Sequence, residues 1–508
     1  MRRALFIILA FVVFSNFFPL QAKVRLPRLL SDNMVIQQGV KFKVWGWADK
    51  RERVSVSLDG NTAKTTALDS GSWQCELPAM KGSERALELT VTGTNTLKVK
   101  NILVGELWVC AGQSNMAWVM RLAKNGAEEV KNANNPQIRF FLTRGPAAGK
   151  PQEDFQNISQ WVAFDPKFGG DCTAIGYFFG RYLNKELKVP VGLIDEGCGG
   201  TTIEQWLPRS AFDNNADLPG WAEKIAAAEK AYDASKADYD KKYADWKNAP
   251  EDKRNKYPPN PIIPPELAFG GIYHCRISPL LPLAVAGVLW YQGESNVAKD
   301  VYFNSQGQDF AKENIALVKT LRKEFSIADL PFLFVQLASV GQKTADPNRT
   351  SQYAEAREAQ MAALSLPNTA MVSAIDNEDT NTAHPVDKLP IGERLAKAAL
   401  VVKYKKIVPD YCSPIFDSLK VTGGTLTVKF KHAENGLVVK GEKLKGFAVA
   451  GRNKIYFPAD AKVSGDSVIL TCDKVSSPAG VKYGWANCPD VNLFNKDGMP
   501  ASPFRAGE

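Results

Sequence analysis

Histidine is scarce in this chain, three in 508 residues, and closely spaced cysteine pairs are lacking altogether. The eight cysteines stand at 75, 110, 172, 198, 275, 412, 472 and 488. None has the short paired spacing of a zinc site, so no metal centre is implied. Cys412, Cys472 and Cys488 are near enough in sequence for two of them to pair in an oxidising compartment, but sequence does not determine pairing. Runs of like charge are missing too. Lysine and arginine alternate with aspartate and glutamate and there is no basic tail, which argues against nucleic acid as a partner. Beyond residue 22 no stretch is long and apolar enough to span a bilayer, so no membrane association is expected of the mature chain.

The amino terminus differs from the rest. Met1-Arg2-Arg3 precedes "ALFIILAFVVFSNFFPLQA", a positive head followed by an apolar stretch that ends in a small residue, Ala22. This is the pattern of a cleaved secretory signal over residues 1–22, for export to the periplasm or the exterior, the alternative being an uncleaved anchor. Loss of Arg2 and Arg3 lowers the net charge from +9 to +7, and such a surface favours anionic substrates.

At this length several domains are expected. Residues 23–100 alternate apolar and polar side chains ("KFKVWGWA", "RVSVSLDG", "ALELTVTG") between turns, the pattern of a small β-sandwich. From 101 to 405, continuous apolar runs ("LWVCAG", "VPVGLIDEG", "VAGVLWYQG", "PFLFVQLA", "TAMVSAID") alternate with amphipathic helical stretches. That pattern predicts an α/β domain with a parallel sheet covered on both faces. After 406 short alternating runs return, a second all-β domain to 508. A helical insertion at about 218–260 carries Ile225, Tyr232, Tyr239 and Trp246 seven apart, one narrow stripe. It reads as a solvated arm docked by that stripe, or as a wall over the site.

Ligands of such sheets sit at the carboxyl ends of the strands, and three of those ends are unusual. "LWVCAG" runs into Gln113-Ser114-Asn115, "VGLIDEGC" into Gly199-Gly200-Thr201, and "VLWY" into Gln292-Gly293-Glu294-Ser295-Asn296. A fourth element, "AHPVDKLPIGERLA", carries His384. A serine hydroxyl needs a base to take its proton as it attacks. His384, in a loop held before a helix, is the base, with His432 read as a surface residue and His274 either lining the pocket or a buried donor. Attack on a carbonyl generates an oxyanion, and each prearranged donor is worth ~3 kcal/mol. Gly199 and Gly200 can offer unobstructed backbone N–H groups; Gln292 or Asn296 can offer side-chain amides.

Together, "GQSNM", "GGT.IE.W", "WYQGESN" and "HP.DK...GERLA" resemble the sialate O-acetylesterases, in the SGNH branch of serine hydrolases. The likeness extends from "LLSDNMVIQQGVKFKVWGWA" to "VKYGWANCPDVNLFNKDGMPASPFR". It implies an SGNH-type α/β fold and a secreted esterase that removes O-acetyl groups from sialic acid through a serine acyl-enzyme, without metal or organic cofactor. Ser114 is then the nucleophile and one oxyanion donor through its own N–H, with Gly200 second and Gln292, then Asn296, third. Gln113 and Glu294, inside the motifs, are candidate substrate contacts, and Arg276 is a candidate partner for the sialate carboxylate.

The resemblance breaks at one point. Where the family has an aspartate two or three residues before the histidine, this chain has Asn381 and Thr382. In a serine-protease triad, Asp-to-Asn costs about 10⁴ in turnover. Asp379, then Asp376, or Glu378 could orient His384; otherwise a backbone carbonyl lies behind the ring, or activity is weak. His274-Cys275-Arg276 also departs from the family pattern. Two alternatives stand beside sialate: an acetylesterase for plant polysaccharides such as acetylated xylan, and a carbohydrate-binding protein with a degenerate site.

Overall fold

The computed structural model describes residues 23–507 except 144, 157, 214, 252–253, 255–257, 260–261, 298–307, 345 and 380–381. The expected signal at residues 1–22 lies outside the described residues.

Leu107, Trp108, Val109, Cys110 and Ala111 have no exposed surface, because their strand is central and covered on both faces. From one edge the central sheet runs Thr369–Ser373, Phe332–Gln336, Gly287–Tyr291, Thr96–Gly112, Val191–Gly197, Asn135–Leu142 and Gln160–Phe164. Every pairing is parallel except the last. The expected parallel sheet therefore closes on an antiparallel edge strand. Register decides the site: Gly112 is opposite Gly197 on one side and Tyr291 on the other, so three strands end in line. The helices Ala174–Leu187 and Leu389–Val402 touch at Gly392, where a Cβ would lie 2.6 Å from Phe178 Cβ and 2.9 Å from the Ile175 carbonyl. Glycine there lets the helix that follows the His384 loop seat closely.

The strand Thr96–Gly112 is 17 residues long. Its first half pairs antiparallel with Ser83–Thr92, and its second half is the centre of the α/β sheet. It passes straight through residues 100 and 101, where the sequence suggests a boundary, and one apolar core extends from Val24 to Cys412. Carboxyl-terminal strands form two four-stranded antiparallel sheets with a second core that includes Phe430, Phe447, Tyr483 and Phe504. Arg357, fully buried, joins the two regions. Its guanidinium donates to the carbonyls of Leu337 and Ala338 on one side and Ala486 and Asn487 on the other.

The arm is a helix, Trp221–Asn248, docked by Trp221, Ile225 and Ala228. Tyr232, Tyr239 and Trp246 of the stripe are only half-buried. Tyr232 and Asp233 wall a cavity shared with Arg209, Glu229, Phe269 and His274. All eight cysteines are free thiols. Among the described residues no helix is long and apolar enough to cross a membrane.

Candidate active site

The long strand must end abruptly. At Gly112 φ is +135°, and a Cβ would lie 2.1 Å from the Tyr291 carbonyl oxygen, so only glycine fits. The next residues turn away, with Gln113 N–H donating to Tyr291 O (2.9 Å) and Cys198 N–H to Gly112 O (2.8 Å). Ala117 N–H closes the turn onto Gln113 O at 2.9 Å. Thr173 Oγ1 donates to Met116 O (2.6 Å) while capping its helix at Gly176 N–H, so the turn is also tied to the helix N-terminus. Ser114 is left half-buried at the sheet edge.

His384 faces it. Ser114 Oγ and His384 Nε2 are 2.7 Å apart. The other ring nitrogen, Nδ1, lies 3.2 Å from Thr382 Oγ1, which also accepts the His384 backbone N–H at 3.1 Å. With the Nδ1 proton given to that hydroxyl, Nε2 is the acceptor, the tautomer a general base requires. Trp118 stacks on the imidazole at 5.5 Å and 18°. Burial, and then the charge of Lys388, lower the His384 pKa, which keeps the ring neutral and able to take a proton.

Of the acids considered from sequence, Asp376 is not on the ring. Arg394 holds it in a bidentate pair, Nη1 to Oδ1 at 2.8 Å and Nη2 to Oδ2 at 2.7 Å, and Arg394 also donates to Ser373 O. The side chains of Glu378 and Asp379, and residue Asn381, lie outside the described residues. The backbone Glu378–Asp379 forms a short parallel strand with Ser339–Val340. Among the described residues the side-chain group on Nδ1 is thus the Thr382 hydroxyl, two residues before the histidine, which the sequence reading did not single out as a partner for the ring.

Across from the histidine, Gly199 lies against Ser114, its notional Cβ 3.6 Å from Ser114 Cβ. Gly200, at φ +74°, has open space where a side chain would be. Among the described residues, neither the Ser114 N–H nor the Gly200 N–H has a hydrogen-bond partner. The side-chain amides behave differently. Gln292 Nε2 gives its two hydrogens to Thr201 O (3.1 Å) and Asn296 Oδ1 (2.6 Å). Asn296 Oδ1 also accepts Ile203 N–H, and its Nδ2 donates to Glu204 Oε2 at 3.2 Å. These two amides hold the glycine loop in place, and Gln292 has no proton left for an oxyanion.

The expected substrate contacts are turned inward as well. Gln113 is buried, and its Oε1 accepts the N–H groups of Gly293 and Ser295, both at 3.2 Å. Glu294 Oε1 accepts from Asn115 Nδ2 at 2.5 Å, Oε2 is buried without a hydrogen-bond partner among the described residues, and burial raises the carboxyl pKa. Arg276 bonds Thr143 Oγ1 and lies 3.8 Å from Glu196 Oε2, with side-chain exposures of 8% and 0%. A guanidinium so enclosed does not meet a substrate carboxylate. His274 is buried and bonded through Nδ1 to Ala148 O (2.9 Å), and the cavity it lines is that of the arm, which includes neither Ser114 nor His384. His432 is half-buried against Tyr411.

Lys388 is the residue that sequence reading passed over. It is 1% exposed, and Nζ donates to Asn115 Oδ1 at 2.5 Å. The rings of Trp118 and Tyr291 lie 5.4 and 6.0 Å from its ammonium.

Comparison with known proteins gives the family. A family model described as carbohydrate esterase, sialic acid-specific acetylesterase, matches residues 104–233 and 275–401. The sialate O-acetylesterase of Rattus norvegicus is 27% identical, over 95% of this chain and 94% of that protein. That of Homo sapiens is 24% identical, over 95% and 92%. Among solved structures, a carbohydrate acetylesterase from Xanthomonas citri superposes with a TM-score of 0.80 at 31% identity, covering 95% of this chain and 99% of its own.

Proposed function

The chain belongs to the sialic acid-specific acetylesterase family of carbohydrate esterases, and from that premise we propose that it is a secreted serine esterase which removes O-acetyl groups from sialic acid. The observation that carries the mechanism is the 2.7 Å contact between Ser114 Oγ and His384 Nε2. As the hydroxyl oxygen attacks the acetyl carbonyl, its proton passes to Nε2. The unpartnered N–H groups of Ser114 and Gly200 receive the oxyanion. Collapse breaks the bond to the sugar oxygen, which leaves as an alcohol with the proton from His384. Water, deprotonated by the same nitrogen, then attacks the acetyl-serine, and acetate departs as Ser114 recovers its proton. Secretion rests on the sequence of residues 1–22, and a division near 405 is part of this proposal, whereas the strand Thr96–Gly112 runs on through the division expected near 100.

The paired serine and histidine support catalysis over a degenerate binding site. A second substrate class, acetylated neutral polysaccharide such as xylan, is favoured by one observation: Arg276, the expected partner of a sialate carboxylate, is enclosed with Glu196. A panel of 9-O-acetylated sialic acid and acetyl-xylan with purified protein decides between them by kcat/KM. In the same panel Ser114→Ala should abolish turnover and leave the melting temperature nearly unchanged. Rapid quenching of the wild type should give an acetylated peptide containing Ser114. Full activity of Ser114→Ala refutes the mechanism.

A further inference from the structure

Asn115 directly follows the nucleophile, and Ala383 directly precedes the base. Asn115 Nδ2 donates to Ala383 O at 2.9 Å, so one hydrogen bond spans the neighbours of the two reacting residues. The same amide is held at its remaining valences. Its second Nδ2 hydrogen goes to Glu294 Oε1 (2.5 Å), and its Oδ1 accepts a hydrogen bond from Lys388 Nζ (2.5 Å). The two charged partners bias the amide in one sense. Turned over, its NH2 would face an ammonium and its carbonyl would face both a carboxylate and a peptide oxygen.

Keeping a cation and an anion here is costly. Asn115 has no exposed surface, Lys388 is 1% exposed, and Glu294 Oε2 is buried. Apolar side chains of similar volume commonly fill such a space at no loss of stability. The three side chains come from three separate motif segments, the nucleophile turn, the Gln292–Asn296 turn and the helix after His384, and all meet beside the Ser114–His384 contact. Building on the proposed roles of those two residues, we infer that Lys388 is a positioning residue, whose ammonium acts through Asn115 and against Glu294 to hold the serine turn and the histidine loop at reaction distance.

Other groups face Lys388. Glu294 and His384 are the titratable ones nearest its charge, Tyr291 and Trp118 present their rings, and Asp387 on its own segment is turned outward to Lys124 at 2.9 Å. Burial, and then the charge of Glu294, push Tyr353 up to about 12, and burial likewise raises Tyr291 well above the usual phenol range, so neither phenol ionises near neutrality. Burial lowers Lys388 to about 7, and Glu294 opposes that shift. The brace is therefore charged on the acid side of neutrality and loses its cation on the alkaline side. A serine–histidine pair alone gains activity with pH and then levels off. This chain should instead show a falling alkaline limb.

The test is the pH profile of kcat and KM on 4-nitrophenyl acetate, a probe with no sugar to bind. Lys388→Met should lower kcat roughly 10²-fold with little change in KM, as expected for a misplaced reacting pair, and should remove the alkaline limb. Lys388→Arg, which cannot deprotonate in this range, should recover part of kcat and lack the limb. Glu294→Gln should move the limb to lower pH, because Glu294 is what holds the ammonium charged. Wild-type kcat and an unchanged limb in Lys388→Met overturn the inference. If that variant does not fold, an unmoved limb in Glu294→Gln does the same. An active Ser114→Ala overturns the underlying mechanism, whereas an inactive Ser114→Ala beside a normal Lys388→Met overturns only the brace.

Discussion

Replacing Thr382 by valine asks what orients the His384 imidazole. The two side chains have nearly the same shape, so the change removes the hydroxyl and little else. That hydroxyl makes two contacts with His384, at 3.2 Å to Nδ1 and 3.1 Å to the backbone N–H. Both are neutral and toward the long end of the hydrogen-bond range, so each contributes ~1 kcal/mol net. Together they hold the proton on Nδ1, and their loss should cost ~2 kcal/mol of transition-state stabilisation, roughly thirtyfold in kcat/KM. The assay is steady-state hydrolysis of an acetyl ester at several pH values, with Thr382→Ser as the rescue that restores the hydroxyl. A Thr382→Val enzyme within twofold of wild type refutes the assignment of the hydroxyl. Asp379→Asn runs beside it as the competing arm: a loss approaching 10⁴, the triad value, places a carboxylate behind the ring instead. Modest loss in Thr382→Val with little in Asp379→Asn means that this chain works with a hydroxyl in the acid's place.

Asp376→Asn should destabilise the fold by about 2 kcal/mol, below the usual penalty for breaking a buried pair because the carboxylate is partly open to solvent. Its kcat should fall less than tenfold; a loss of three orders of magnitude with an unchanged melt would return Asp376 to the site. Arg357→Met should cost at least about 3 kcal/mol in thermal unfolding, since four carbonyls lose a charged donor, and limited proteolysis should then release the carboxyl-terminal β region first. Lys388 should affect stability and activity in opposite directions. Its pKa falls from the unfolded ~10.4 to about 7 in the fold. Between those values the unfolded chain binds the extra proton, so the lysine's contribution to stability rises with pH. The wild-type minus Lys388→Met difference in unfolding free energy should climb across this window while wild-type turnover declines; a flat difference refutes the buried-amine assignment.

Much of the architecture was legible because it rests on repetition. Continuous apolar runs such as "LWVCA" can be satisfied only by a strand covered on both faces, and glycine or small polar residues at the end of each run marked one edge of one sheet. The register of Gly112 with Gly197 and Tyr291 made that edge a single line. The arm was legible as a helix but less so as a docked one, because a stripe seven residues apart does not say how far along its length packing continues. The continuity of Thr96–Gly112 was hidden because alternation gives way to a solid apolar run inside one strand, which reads as a change of domain.

Inside the site, sequence could supply residue types but not the direction in which each side chain faces. Gln113, Gln292, Asn296 and Glu294 all stand in motif positions at the sheet edge, yet the three amides turn inward to bond backbone groups of loops that have left the sheet, and Glu294 turns to the Asn115 amide. That follows from the site's own geometry. Four chain segments converge where strands stop, so many backbone N–H and C=O groups need new partners, and amide and carboxyl side chains are the nearest source. Under the proposed mechanism the groups left to receive the oxyanion are the N–H of Ser114 and that of Gly200, which make no hydrogen bond among the described residues. Glycine at 200 and a tight turn at 114 matter for that reason, and the side-chain amides matter because they fix where those two N–H groups point.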